Sequence, residues 1–365
     1  MLDRNDDADP LRDDRRPALP AIASLLVCVA CVACRGTPQP ELQSGGTTNE
    51  FRGLSAASET VVWAAGRNGA YARTTDGGAT WHADSVPGAS ELFFIDVHAV
   101  DQSTAYLLGT HFEGGEARIY KTTDGGAHWA LQYRDTTPGV FFDGMAFWDA
   151  ERGVAFSDPV DGSFLIIRTD DAGATWERVP PESIAPPLPG EAGFAASGTA
   201  IAVWGTEHVW FGTGGGDVAR VFRSSDRGRS WTAAETPIPG NASSGIFGLV
   251  FRDSLNGVAV GGDYTKRQEA SDNVIRTGDG GRTWAIAGRS EPAGVRYGAT
   301  YAPAQAGPIL VATGPSGWGY SADDGLGWTL IDTLGYNTLS AVRRGGTVWA
   351  AGVEGRIAKF RIPTR

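Results

Sequence analysis

From about residue 50 onward, apolar positions fall in short β-rich runs such as Val61-Val62-Trp63-Ala64-Ala65 and Ala70-Tyr71-Ala72-Arg73, each bounded by Gly, Asp, Ser or Thr. Short runs of that kind between turn formers predict strands. They are punctuated by a recurring stretch, first met as Thr74-Thr75-Asp76-Gly77-Gly78-Ala79-Thr80-Trp81. It returns around Asp124 and Trp129, Asp171 and Trp176, Asp226 and Trp231, and Asp279 and Trp284, with a decayed sixth copy at Asp323 and Trp328. The aspartates stand 48, 47, 55, 53 and 44 residues apart, a period that suggests propeller blades. Two β-rich runs precede each copy and a third follows it, with a fourth leading into the next unit. A seventh unit, Thr347-Val348-Trp349-Ala350-Ala351 and Arg356-Ile357-Ala358-Lys359-Phe360, ends before any such stretch. Its missing outer strand is available at Glu41-Leu42-Gln43-Ser44, ahead of Phe51-Arg52-Gly53-Leu54. The prediction is an all-β protein: a seven-bladed β-propeller whose ring is closed by the N-terminal strand, which protects strand edges that would otherwise invite aggregation.

The repeated stretch has its own turn chemistry. Its Asp and Ser/Thr side chains accept hydrogen bonds from nearby amides, and its Gly reaches a positive φ at no steric cost. The Trp is expected to pack where neighbouring strands meet, where burial is worth roughly 3–5 kcal/mol. Metal binding by Asp76, Asp124, Asp171, Asp226, Asp279 and Asp323 is not expected, because each copy offers essentially one carboxylate and calcium takes about six to eight oxygens.

Composition narrows the function. The chain has 51 Gly and 20 Pro among 365 residues, which excludes a helical bundle. A net charge of −11, with Lys121, Lys266 and Lys359 the only lysines, argues against a nucleic-acid partner. The three cysteines, Cys28, Cys31 and Cys34, share one apolar stretch, so the repeats hold neither disulfide nor cysteine-zinc site. That stretch, Ala18 to Cys34 behind Arg15 and Arg16, has the length of a signal-peptide core rather than a span. Residues 1–34 are therefore assigned to an export leader of lipoprotein type, with Cys34 as the lipid-bearing residue and 35–365 as the propeller. An uncleaved anchor is the alternative. The expected location is periplasmic or cell-surface, with membrane contact only through the lipid.

Chemistry is expected where the repeat is broken. With the repeated turns on one face of the ring, the opposite face carries the irregular loops, and these hold Arg52, Arg67, Asp143, Asp158, Glu191, Asp263, Tyr264, Arg296 and Tyr336. They could bind a polar ligand or a charged partner loop, or merely fix the loops by hydrogen bonding. Phe51, Phe94, Phe142, Tyr297 and Tyr336 recur near the starts of the first strands and are read as blade packing rather than a stacking ring. The five histidines lack metal-ligand spacing, and Gly212-Thr213-Gly214-Gly215-Gly216 lacks the helix a dinucleotide fingerprint needs. No metal, cofactor or catalytic residue is assigned.

At the repeated stretches the chain resembles the Asp-box (BNR) repeat proteins. Through Phe141-Phe142-Asp143-Gly144-Met145-Ala146-Phe147, Ser157-Asp158-Pro159-Val160-Asp161-Gly162, Gly190-Glu191-Ala192-Gly193-Phe194-Ala195-Ala196-Ser197-Gly198 and Gly261-Gly262-Asp263-Tyr264 it is most similar to bacterial relatives of the photosystem II stability/assembly factor family. That resemblance implies an exported, non-enzymatic propeller, expected as a monomer, that binds and helps assemble an envelope or membrane protein complex. The alternative is a secreted sialidase-like glycosidase or glycan-binding protein. Phe360-Arg361-Ile362-Pro363 looks like a sialidase arginine motif, but it follows the repeated stretches instead of preceding them.

Overall fold

The computed structural model describes residues 39–363 except 112 and 114. Residues 1–34, expected as an export leader, and Cys34, expected to carry the lipid, lie outside the described residues. Seven four-stranded antiparallel sheets form the blades of a ring. Their innermost strands are Phe51–Ala56, Leu92–Ala99, Phe142–Phe147, Ile201–Trp204, Ser244–Phe251, Gly298–Ala302 and Thr338–Ala341 for blades 1 to 7. The seventh blade takes its outer strand from the other end of the described chain. Glu41–Ser44 pairs antiparallel with Arg356–Arg361, Glu41 opposite Lys359 and Ser44 opposite Arg356. Closure is reinforced where the Gln43 side-chain oxygen accepts the Trp81 indole N–H at 2.8 Å.

The apolar core lies between blades. Seven clusters of buried side chains each straddle one seam of the ring, and an eighth, around Ala196, Phe247 and Val295, stands apart from them. Across the seams Trp210 stacks on Phe251 at 3.6 Å and Phe156 on Phe211 at 4.3 Å between ring centroids. Phe51, Phe94, Phe142 and Tyr336 are buried in these seams. Tyr297, one residue out of step with them, is only half-buried.

Every repeated turn joins the third strand of its blade to the fourth. In the first, the Thr74 hydroxyl donates to Asp76 Oδ1 (2.8 Å) and accepts the Gly78 amide (2.9 Å). Asp76 also accepts the Thr80 amide at 2.9 Å and hydroxyl at 2.6 Å. The Thr80 hydroxyl and amide, with Thr74, hold the Asp76 carboxyl at about 2. His128 replaces the threonine in the second turn and uses its ring nitrogen instead, 2.7 Å from Asp124. Gly77 has φ 73°, and its counterparts Ala172, Arg227 and Asp324 keep φ between 56° and 62° although they carry a Cβ. The hydrogen bonds therefore impose the left-handed conformation even where it costs about 1 kcal/mol. Of the six tryptophans only Trp231 is fully buried; Trp81, Trp129, Trp176, Trp284 and Trp328 are half-buried, each with an edge toward solvent.

The turns also clamp blade to blade, their carbonyls accepting from the preceding blade. Tyr71 and Arg73 donate to Gly126 and Gly125, both at 2.8 Å, Tyr106 and Lys121 to Ala172 at 2.8 and 2.9 Å, Trp210 to Gly280 at 2.9 Å, and Lys359 to Gly77 at 3.1 Å.

Candidate functional site

The innermost strands share a local device. In blades 1, 2, 3 and 5 the pairing to the second strand slips by one residue, at Arg52, Ile95, Asp143 and Phe247. A bulge of this kind re-aims a side chain, and these residues surround the end of the channel opposite the repeated turns. Three of these four strands carry Gly after the bulge (Gly53, Gly144, Gly248); blade 2 carries Asp96.

That end is capped by the chain itself. The connection from blade 3 to blade 4 is long, and its portion Gly190–Thr199 crosses the channel mouth. The Ala195 carbonyl accepts from Arg52 of blade 1 at 2.9 Å, and the Gly193 amide donates to Asp158 of blade 3 at 2.7 Å. Ala192 bridges to Gly214 of blade 4, Phe194 packs on Phe247 of blade 5 at 4.5 Å, and Ser197 donates to the Tyr297 carbonyl of blade 6 at 2.8 Å. Small residues make the crossing possible, since a Cβ at Gly193 would collide with the Asp143 carboxylate and one at Gly198 with Asp96.

The start of the crossing is fixed by a buried ion pair. The Glu191 carboxylate accepts Arg220 Nε at 2.9 Å, a second Arg220 nitrogen, the Thr213 hydroxyl at 2.6 Å and the Leu188 amide at 2.8 Å. Arg220 also donates to the Pro186 carbonyl at 2.9 Å.

Three carboxyls face the crossing from below. Asp96 accepts the Val97 and Met145 amides at 2.8 and 2.9 Å, yet burial outweighs both and raises its pKa to about 8. Asp143 is buried with no donor in hydrogen-bond geometry to either oxygen. Burial, then the neighbouring Asp158 charge, pushes Asp143 well above the usual carboxylate range, and burial raises Asp158 to about 6. Burial and mutual repulsion therefore disfavour the state in which Asp143 and Asp158 are both charged.

The structure divides the nine sequence-predicted residues into two groups. Glu191, Asp143, Asp158, Arg296 and Tyr336 are engaged inside the fold. Arg296 is fully buried, donating to the carbonyls of Gly294, Gly317, Pro292 and Ala293 and to the Ser316 hydroxyl, and burial lowers its pKa to about 10. Tyr336 is buried against Trp318 at 5.3 Å. The remaining four reach the capped surface. Arg52 and Arg67 both pair with Glu50, at 3.1 and 2.8 Å, and lie over the Phe93 ring. Tyr264 is 40% exposed and stands edge-on to Phe194 at 6.2 Å. Asp263 accepts the Thr265 amide and hydroxyl at 2.9 and 2.6 Å, which shapes the loop. Asp263 also lines a groove of about 360 Å³ with Ile238, Lys266 and Val295.

Sequence reasoning missed Glu50, Asp96, Phe247 and Arg220. Asp96 was detectable, because it occupies a Gly position of the inner-strand pattern. Arg220 was not: nothing local distinguishes it from Arg223 on the same third strand, Val218–Ser224.

With this geometry in view, no protein-family model matches the chain, and no curated protein does. Solved structures do resemble it. A YCF48 structure bound to D1 peptide is 13% identical with a TM-score of 0.61, over 90% of this chain and 96% of that one. YCF48 from Cyanidioschyzon merolae is 15% identical with a TM-score of 0.60, over 88% and 98%. A catalytically inactive virginiamycin B lyase from Staphylococcus aureus, with quinupristin, is 16% identical with a TM-score of 0.60, over 89% and 100%. Likeness at such identities shows a common β-propeller fold.

Proposed function

We propose that the chain is an exported, non-enzymatic binding scaffold that takes an extended segment of an envelope membrane protein on its capped face and helps that complex assemble or remain stable. The observation that carries this reading is the cap. Gly190–Thr199 fills the channel mouth, so the face offers a closed surface edged by Arg52 and Arg67 over Phe93 on one side and by Phe194, Tyr264 and Tyr297 on another. Half-exposed aromatics beside guanidinium groups suit a peptide backbone and its side chains. A YCF48 structure bound to D1 peptide supports the reading by showing that a propeller of similar fold holds a peptide. The arginines also favour this reading over sialoside recognition: Arg296 is enclosed in its own loop, while Arg52 and Arg67 share Glu50. In the proposed arrangement the protein acts as a monomer, and lipid on Cys34 keeps it beside its partner.

The test is cross-linked co-purification of the tagged protein from its native envelope, run beside Tyr264→Ala and Arg67→Glu. One membrane protein at near-stoichiometric yield, reduced at least tenfold by either substitution, is expected. Recovery unaffected by both substitutions would overturn the assignment to this face, and turnover of fluorogenic sialosides would favour the glycosidase alternative.

A further inference from the structure

The opposite end of the channel is built differently. Below the cap the wall carries small or aliphatic side chains, among them Ser55, Ala202, Val250 and Ser340, but blade 2 contributes His98. His98 stacks on Phe147 at 4.8 Å and forms no hydrogen bond with any described residue. Burial, then the charge of Arg343, lowers its pKa to about 3, so the ring is neutral and keeps one N–H to donate.

Arg343 comes from the turn between the first two strands of blade 7. It lines the central channel and also cavities of about 300 and 700 Å³ at this mouth, and it has no hydrogen bond or ion pair among the described residues. The surrounding carboxylates accept from other groups, although Glu59 Oε1 is left buried without a donor. Asp149 accepts from Arg152 at 2.8 Å, Asp324 from Arg252 at 3.0 Å and Tyr301 at 2.6 Å, and Glu59 from Thr347 at 2.5 Å. The larger cavity is walled by Trp148, Trp204, Val203 and Val250, and Trp204 is 40% exposed there. Arg343 and Trp148 thus line both spaces, the smaller shared with His98 and Phe147 and the larger with Trp204, each of ordinary ligand size.

We propose that this lower mouth is a separate binding site for a small organic monocarboxylate with an aromatic or apolar body. Arg343 takes the carboxylate through two parallel N–H donors, His98 supplies a third donor, and Trp148 and Trp204 cover the body. Among the described residues Arg343 is the one guanidinium without a partner lining these two cavities, which suits a monoanion rather than a phosphate dianion. The site lies at the other end of the channel from the capped face, so it stands or falls independently of the assembly reading.

The test is isothermal titration of the whole protein with 3-phenylpropionate, with 3-phenylpropanamide as the neutral control and an N-acetylated tripeptide ending in a free Phe carboxylate as a second source of the same chemistry. Saturable binding of phenylpropionate is expected, at least tenfold weaker for the amide and for Arg343→Gln, several-fold weaker for Trp204→Ala, and unchanged for Tyr264→Ala on the capped face. Arg343 is exposed, so its replacement leaves the fold intact. No saturable binding of phenylpropionate, or equal binding of acid and amide, would overturn the proposal. Binding of the tripeptide alone would also overturn it, in favour of a chain terminus as occupant.

Discussion

The rim of repeated turns and the cap over the opposite mouth are stabilised in contrasting ways. Along the rim five of the seven blades make the same few contacts with the next: a carbonyl of the turn accepts from the preceding blade, the turn's Trp covers the seam, and an apolar cluster lies beneath. Those contacts join neighbours only, so losing one is felt locally and the rest of the ring repeats the solution. The cap has no repeats to lean on. Its apolar support is the small cluster of Ala196, Phe247 and Val295, and polar ties do the remainder: Glu191 with Arg220, Gly193 with Asp158, and Ala195 with Arg52. Buried polar ties repay their desolvation only when every partner is present. The rim is therefore redundant, and the cap depends on each of its ties.

The sharpest way to break this contrast is Glu191→Ala, which leaves Arg220 buried without its partner. It is expected to cost about 3–5 kcal/mol and to open residues 186–200 to limited proteolysis ahead of any repeated turn. Cleavage elsewhere first, or an unchanged melting temperature, would mean that the pair is not what holds the cap. Trp231→Ala, at the one fully buried Trp of the repeated turns, comes next at about 3 kcal/mol. Its loss should appear in denaturant unfolding while binding at the capped face survives, because the defect stays within its seam.

A third effect, spread over several pH units, concerns protons. Asp96, Asp143 and Asp158 are all raised in the folded protein, so each contributes stability that is full below the usual carboxylate range and lost as the pH rises through its folded-state value. Stability should fall between pH 5 and pH 8, by up to about 1.4 kcal/mol per pH unit for each proton still held. Asp143→Asn supplies an uncharged donor toward Asp158 and should make that slope shallower. Unfolding free energies at pH 5, 6.5 and 8 check this, and an identical slope in the variant would show that Asp143 does not contribute to it.

The fold was legible because each blade writes itself within about fifty residues. The Thr74–Asp76–Thr80 hydrogen bonds are local, the runs around them are contiguous, and the unit lacking a final strand pointed to Glu41–Ser44. The candidate site was legible as a region and less so residue by residue. Sequence position told that Arg296 and Glu191 interrupt the repeat; it did not tell that Arg296 would spend its donors on its own loop or that Glu191 would be sealed against Arg220. The expectation for the tryptophans erred toward burial, because a turn on the outside of a ring leaves one edge of the indole to solvent.

By itself the sequence determined the seven blades, their order and the way the ring closes, since these follow from apolar runs and turn chemistry repeated along the chain. The tertiary structure decided what stands at each end of the channel. Only a closed ring brings Gly190–Thr199 over Asp96 and Asp143 on the axis, and only the ring sets Arg343 of the last blade near His98 of the second. Whether a side chain is buried, paired or left open there depends on distances across the ring, which no local pattern of residues encodes.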